Sequence, residues 1–278
     1  MLKPATEAEI TQYMDFAYSL AMDPASSGYP AYFDGMKTKD DFISVAWRSL
    51  RGENREILLF IREGTVEGWI QFYVFPEDNY LQTEGFNIRS HTEEALEELI
   101  QYCKANYAGY ELNFGFPADN QNAVSYLQKQ GWPCTEQSWN QILHLKDYQL
   151  RPESPNVRKV TRETFDDFRT IHSQYDAEIY WNSQRIYDSF DKWHIYLYYK
   201  EEKPIGAIFY FDEEIFGLTF DGGIFDDGIY EALLTKAAND HKERGLAYLV
   251  FFQDEDSWSA AREMGFQRVG KYVLFVQK

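Results

Sequence analysis

The chain has 278 residues, enough for two domains of ordinary size, and its 44% hydrophobic and 26% charged residues are those of a globular chain. That composition excludes a disordered or membrane-embedded protein. With 27 Lys plus Arg against 45 Asp plus Glu the formal charge is −18, which repels nucleic-acid phosphates and anionic headgroups and excludes a nucleic-acid or membrane-surface role. Such a charge serves general solubility, or it concentrates cationic small molecules such as amines.

From Met1 the chain runs into Glu7, Glu9 and Asp15 without an apolar leader, so neither a signal peptide nor a membrane span is expected. Thr6 and Glu9 form a capping-box pattern ahead of Ile10, Tyr13, Met14, Ala17 and Ala21, whose spacing predicts an amphipathic helix. Strands are predicted over 56–62 and 66–75, joined by the turn Glu63-Gly64, and a third strand over 80–88. A helix over 92–105, a strand over 110–116, a short helix ending at Gly131-Trp132 and a last strand over 141–145 complete the first half. The polar stretch 146–156, with Pro152 and Pro155, reads as a linker between domains 1–148 and 156–278.

The second half repeats this order. A helix over 161–172 carries Phe165, Phe168 and Ile171 on one face, strands follow over 193–200, 204–211 and 215–224, then a helix over 229–244 and a strand over 247–252. A short helix ends at Gly265-Phe266, and the last strand covers 272–276. Gly68 with Gly206, Glu84-Gly85 with Asp221-Gly222, and Gly131 with Gly265 fall at matching places, 134 to 138 residues apart. The strand, helix, strand passage in each half implies a crossover joining two parallel strands.

This order resembles the GNAT superfamily of acyl-CoA-dependent N-acetyltransferases, over each half and so over the whole chain. Its most specific points are Asn120-x-x-Ala123 leading to Gly131-Trp132, Tyr230 to Ala237 (YEALLTKA), Glu243-Arg244-Gly245 and Met264-Gly265-Phe266. The resemblance implies an α/β (α+β) chain of two tandem GNAT-like domains, each a mixed, mostly antiparallel twisted sheet with flanking helices. It further implies acetyl-CoA as acyl donor and an amine-bearing small molecule or peptide as acceptor, with Phe86, Ile88, Arg89, Ser90, His91, Thr92, Asn120 and Gly228 as cofactor-binding positions. A catalytically inactive tandem pair, binding a ligand or a partner, is the rival expectation, and a homodimer is left open.

The motifs depart from the family pattern. A pyrophosphate cradle needs backbone N–H groups at a helix start, and family members have Arg or Gln followed by Gly-x-Gly or Gly-x-Ala there. The second half offers Phe225-Asp226-Asp227-Gly228, where a carboxylate about 4 Å from a phosphate costs about 4 kcal/mol at an effective dielectric near 20. Asp226 and Asp227 read instead as favourable N-cap charges on a helix with no ligand. The first half offers Arg89, Ser90, His91 and Thr92 without a glycine, and Ser90 with Glu93 reads equally as a capping box. For catalysis, Glu84 and Asp221 stand where family members carry a base for the ammonium, though a carboxylate on a strand is also merely solvated. Tyr126 lies one residue from the place of the family's thiolate-protonating Tyr, about 100° around the helix.

Cys103 and Cys134 are too few for a disulfide framework or a four-cysteine zinc site and fit a reducing cytoplasm. The five histidines show no metal-ligand spacing, so no metal is expected. Tyr29, Tyr32, Phe33, Tyr180 and Trp181, with Asp34 and Asp176, form either an aromatic wall for a cationic amine or plain plugs over the core.

Overall fold

The computed structural model describes residues 1–28, 38–177, 179–223, 225–253 and 257–278. The chain divides into two compact units, Met1–Trp139 with Val269–Lys278 and Asn140–Arg268. The sequence-based division at 148/156 differs in one respect: each half's last strand belongs to the other half's unit. The reason is backbone pairing, since Tyr272 to Gln277 run antiparallel to Pro117 back to Leu112 and complete the first sheet.

In the first unit β1 (Leu2–Pro4), β2 (Arg55–Arg62), β3 (Thr65–Phe75), β4 (Tyr80–Ile88), β5 (Glu111–Pro117) and the end of β12 (Gln267–Gln277) are neighbours in that order, beside the start of β6 (Cys134–His144). Helices cover both faces. α1 (Glu7–Ala21), opened by the predicted Thr6–Glu9 capping box, and α2 (Lys39–Arg51) bury Ile10, Met14, Ala17, Phe42 and Ala46 against Ile57, Leu59 and Trp69. α3 (Thr92–Asn106) and α4 (Gln121–Lys129) bury Leu96, Leu99 and Leu127 against Leu58, Phe60, Phe72 and Phe114. The unbroken apolar run Ile57-Leu58-Leu59-Phe60 follows from this: alternate side chains of β2 enter different cores, so neither face tolerates a polar residue.

The second unit repeats the plan with the end of β6, β11 (Tyr248–Gln253), β10 (Glu214–Phe220), β9 (Lys203–Phe211), β8 (His194–Lys200) and β7 (Val157–Lys159) as neighbours. α5 (Phe165–His172) and α6 (Ser183–Asp188) cover one face around Phe168, Trp193 and Phe209. α7 (Asp227–Glu243) and α8 (Trp258–Glu263) cover the other around Tyr210, Leu233 and Phe251. Gly131 and Gly265, at φ 76° and 99°, sit in the left-handed conformation predicted for the helix ends. Gly68 and Gly206 face Ile88 and Phe220, and a side chain at Gly206 would meet Ile229 at 2.6 Å. These glycines are therefore equivalent by register as well as by sequence.

Candidate functional site

The equivalence of the halves is set by a β-bulge. In the first unit Gln71 pairs with Gly85 and Phe72 with Thr83, which leaves Glu84 as the extra residue. In the second, Phe209 pairs with Gly217 and Tyr210 with Ile215, which leaves Phe216. The structural counterpart of Glu84-Gly85 is thus Phe216-Gly217. Asp221-Gly222, matched to it in sequence, lies past the strand end in a 3₁₀ turn, where Asp221 pairs with Lys203 at 2.5 Å and is half exposed.

Glu84 is engaged on all sides. Arg55 donates to one carboxylate oxygen, and Gln71 Nε2 and Ser49 Oγ donate to the other at 3.0 and 3.3 Å. Gln71 and Ser49 are buried, so the carboxylate satisfies donors that have no access to water. Such an arrangement holds α2 to the sheet and ties both carboxylate oxygens to the chain's own donors.

Next to the bulge the parallel strands separate. β4 and β5 pair only over Tyr80–Gln82 with Glu111–Asn113, and β10 and β11 only over Glu214–Ile215 with Val250–Phe251. In the first unit the resulting gap is filled by the chain itself. Ile88 N–H donates to Ser26 O at 2.8 Å, and Asn120 Nδ2 donates to Ser27 O at 2.9 Å while its Oδ1 caps α4 by accepting from Ala123 N–H at 3.2 Å. Gly28 lies so close to Phe86 that a Cβ there would stand 2.6 Å from Phe86 Cβ and 2.9 Å from its backbone nitrogen. At the matching strand end of the second unit a side chain stands instead, with Gln174 Nε2 donating to Phe220 O at 2.9 Å and Ile171 O at 2.7 Å.

The two helix starts differ as well. At α3 the cap position falls on His91, in the left-handed conformation at φ 61°, with no side-chain cap, so the Ser90–Glu93 box does not form. Ser90 Oγ donates to Glu67 Oε2 at 3.1 Å, Arg89 lies 3.8 Å from Glu67 Oε1 and 4.3 Å over the Phe16 ring, and Arg89 N–H donates to Glu67 O. Arg62, Glu63, Thr65, Glu67, Ser90 and His91 line a polar pocket of about 190 Å³. Thr92 opens the helix ahead of Glu93 and Glu94, the latter paired with Arg62. Glu67 therefore already occupies the place an anion would take on Arg89 and Ser90. At α7, Asp226 caps the helix by accepting from Ile229 N–H at 3.0 Å, as its N-cap reading predicts. Gly222 and Gly223, at φ 66° and 69°, precede it, and Gly228 lies in its first turn.

Tyr126 lies on α4, and burial, then Glu97 and Glu93, raise its phenol above the ordinary range, which makes it a weaker acid than a free tyrosine. The wall predicted from Tyr29, Tyr32, Phe33 and Asp34 lies outside the described residues. Tyr180 and Trp181 do meet, edge to face at 5.0 Å. Trp181, however, already holds an ammonium, with Lys192 Nζ 4.0 Å from its ring centroid and 4.9 Å from that of Phe211. Trp193, Phe211 and the bulge residue Phe216 continue this aromatic cluster. Burial pulls the Lys192 ammonium below its usual range against the opposing pull of Asp212. Asp176 is spent on Ser183, accepting from its N–H at 2.7 Å and its hydroxyl at 2.8 Å.

Sequence reasoning missed Ser26–Gly28, Glu67, Lys192 and Phe216. A bulge leaves no mark in residue types, but the acid directly before Gly68 and the glycine of Ser26-Ser27-Gly28 were visible signs of close backbone approach. Among the described residues no three His, Cys, Asp or Glu side chains are grouped to hold a metal, and no helix is long and apolar enough to cross a membrane.

No family model and no curated protein sequence matches the chain. Solved structures do. A GCN5-related N-acetyltransferase from Sphaerobacter thermophilus matches at TM-score 0.61 and 14% identity, over 100% of this chain and 95% of that one. A tandem GNAT protein from the clavulanic acid biosynthesis pathway matches at 0.55 and 13%, over 100% and 98%. An acetyltransferase of Pyrococcus horikoshii, so described provisionally, matches at 0.56 and 9%, over 100% and 88%. With the bulged strand, the separated parallel pair and the crossover helix present in both units, the chain has the fold of the GCN5-related N-acetyltransferases, in two tandem copies.

Proposed function

We propose that the protein is an acyl-CoA-dependent N-acyltransferase in which the second unit transfers the acyl group and the first does not. The observation that carries this reading is the contrast between the two strand gaps: Ser26–Gly28 lies in that of the first unit, whereas at the strand end of the second the Gln174 side chain donates to Phe220 O. Fit to an acyl-CoA follows the same division. In the first unit Glu67 competes for Arg89 and Ser90, and Phe86, Ile88 and Asn120 are covered by the chain's own peptide. In the second, Gly228 lets backbone approach at the start of a 17-residue helix, and one Asp226 oxygen is already spent on Ile229 N–H. Asp226 and Asp227 still oppose phosphates, so the expected affinity is modest.

Bound acetyl-CoA would supply an activated thioester. Water would first take the ammonium proton, because the residue in the base position is Phe216; the freed amine lone pair would then form the C–N bond as the C–S bond breaks, and CoA would leave as its thiolate, taking up the proton that the new amide nitrogen sheds by way of solvent. The aromatic cluster of Trp181, Trp193, Phe211 and Phe216, with the Lys192 charge upon it, favours an acceptor with an apolar or anionic portion over a polycation. Calorimetric titration with acetyl-CoA, followed by thiol release across a panel of amines, tests the reading. Gly228→Glu is expected to abolish binding and Arg89→Glu to leave it unchanged. The reverse pattern would move the site to the first unit, and no binding at millimolar acetyl-CoA would sink the enzyme.

A further inference from the structure

Acids outnumber bases in this chain by 45 to 27, and in the second unit Lys203 takes Asp221 at 2.5 Å and Lys236 takes Asp240 at 3.0 Å. Lys192 takes no such partner: among the described residues its side chain makes neither an ion pair nor a hydrogen bond. Three rings hold its head instead, with Nζ 4.0 Å from the centroid of Trp181, 4.9 Å from that of Phe211 and 5.3 Å from that of Trp193. The backbone beneath it is anchored as well. Lys192 closes a 3₁₀ turn, Phe190–Lys192, with its N–H donating to Ser189 O at 3.2 Å, and the adjoining Trp193 is buried with Nε1 donating to Ser189 Oγ at 3.1 Å. Phe211 in turn stacks on Phe216 at 4.4 Å, so a primary amine of the chain stands one ring away from the residue in the base position. It remains open to solvent.

Resting on the transferase reading of the second unit, we infer that Lys192 is itself an acyl acceptor, a modification site for the thioester held beside Phe216. A tethered amine next to the acyl carbon competes at an effective concentration that a dissolved amine does not reach. The Lys192 ammonium gives its proton to water, and the neutral Nζ forms a C–N bond to the acyl carbon as the C–S bond breaks. CoA leaves as its thiolate and takes up, through solvent, the proton that the new amide nitrogen sheds. The product keeps an apolar stem on the rings but has lost its charge, so the wall of Trp181, Trp193, Phe211 and Phe216 no longer carries a cation. Acylation of Lys192 thereby withdraws the preference of that wall for an anionic acceptor.

Mass spectrometry of the digested protein after incubation with acetyl-CoA reads the site, with the exposed Lys159 and Lys200 as internal references. Lys192 is expected to take up to one acetyl equivalent about tenfold faster than either reference, at a rate independent of protein concentration. Lys192→Arg keeps a cation on the rings and should lose that equivalent alone. Limiting acetic anhydride reads proximity without turnover: CoA capped at sulfur by a methyl group is expected to shield Lys192 and to leave Lys159 and Lys200 unchanged. Equal acetylation of the three lysines, or a rate that rises with protein concentration, would overturn the inference. If capped CoA binds by calorimetry without shielding Lys192, and free amines are still acylated, the modification site falls and the transferase reading stands. If Lys192 takes its equivalent and no free amine is turned over, the modification site stands and the transferase reading falls. No binding of capped CoA removes both.

Discussion

The same bulge, one strand from the same glycine, carries opposite chemistry in the two units. In the first it presents Glu84 to Arg55, Gln71 and Ser49, and in the second it presents Phe216 to Trp193 and Trp181. A bulge fixes where an extra side chain goes but not what it does there. In the first unit the position has become a polar tie between α2 and the sheet. In the second it is an extension of the aromatic core under a cation. Repeated backbone geometry with diverged side chains is how one copy of a fold can keep a ligand cleft while the other closes its own.

The largest effect expected to separate the units is on packing. Trp193 is 5% exposed and touches Trp181, Phe209, Phe211 and Phe216, so Trp193→Ala should cost about 3–5 kcal/mol, seen as a fall in the denaturation midpoint of the second unit alone. A midpoint shift shared by both units would mean that they unfold as one.

Acid should break the comparison next. His241 is buried, its Nδ1 and Nε2 lie 2.7 and 2.9 Å from Ala237 O and Asp212 O, which can only accept, and it is pulled down from 6.5 to about 4, chiefly by burial, against the opposing pull of those two carbonyls. The folded unit thus favours neutral His241, the unfolded chain takes up the proton first, and stability present above pH 6.5 is lost as pH falls toward 4. The loss is of order 3 kcal/mol and confined to the second unit, with buried His172 adding in the same direction. Denaturant melts at pH 7 and pH 5 check it, and His241→Gln should flatten the dependence.

Glu84→Gln sharpens the contrast at the bulge. It should cost about 1–2 kcal/mol by weakening the tie to Arg55, without changing acyl transfer per folded molecule. A rate loss of about 100-fold or more at unchanged folding would restore Glu84 as a base. The smallest change is Asp226→Asn, which keeps a good N-cap: stability should move by no more than about 0.5 kcal/mol while acetyl-CoA binds severalfold tighter. No gain in affinity would place the phosphates away from α7.

Much of the architecture was legible in the chain. The capping box at Thr6, the apolar period of α1 and α3, the run of β2 and the left-handed glycines at 131 and 265 are local signals, each set by residues a few positions apart. The repeat itself was legible for the same reason, because its markers are glycines that backbone geometry demands. The exchange of last strands was not, since β6 and β12 carry the same alternation whichever β5 or β11 they join. Nor was the occupancy of the candidate sites. Glu84 and Asp221 are both an acid before a glycine, and only the pairing register distinguishes a bulge residue from a turn residue. Arg89 and Ser90 have the composition of an anion site, and only folding brings Glu67, 22 and 23 positions earlier in the chain, onto them. By itself, then, the sequence determined two copies of one helix-and-strand order, because hydrophobic period and glycine placement act over short range. Tertiary structure alone decided which cleft the chain fills with its own backbone, because that depends on carbonyls and donors some sixty to ninety residues apart meeting within a hydrogen bond's reach.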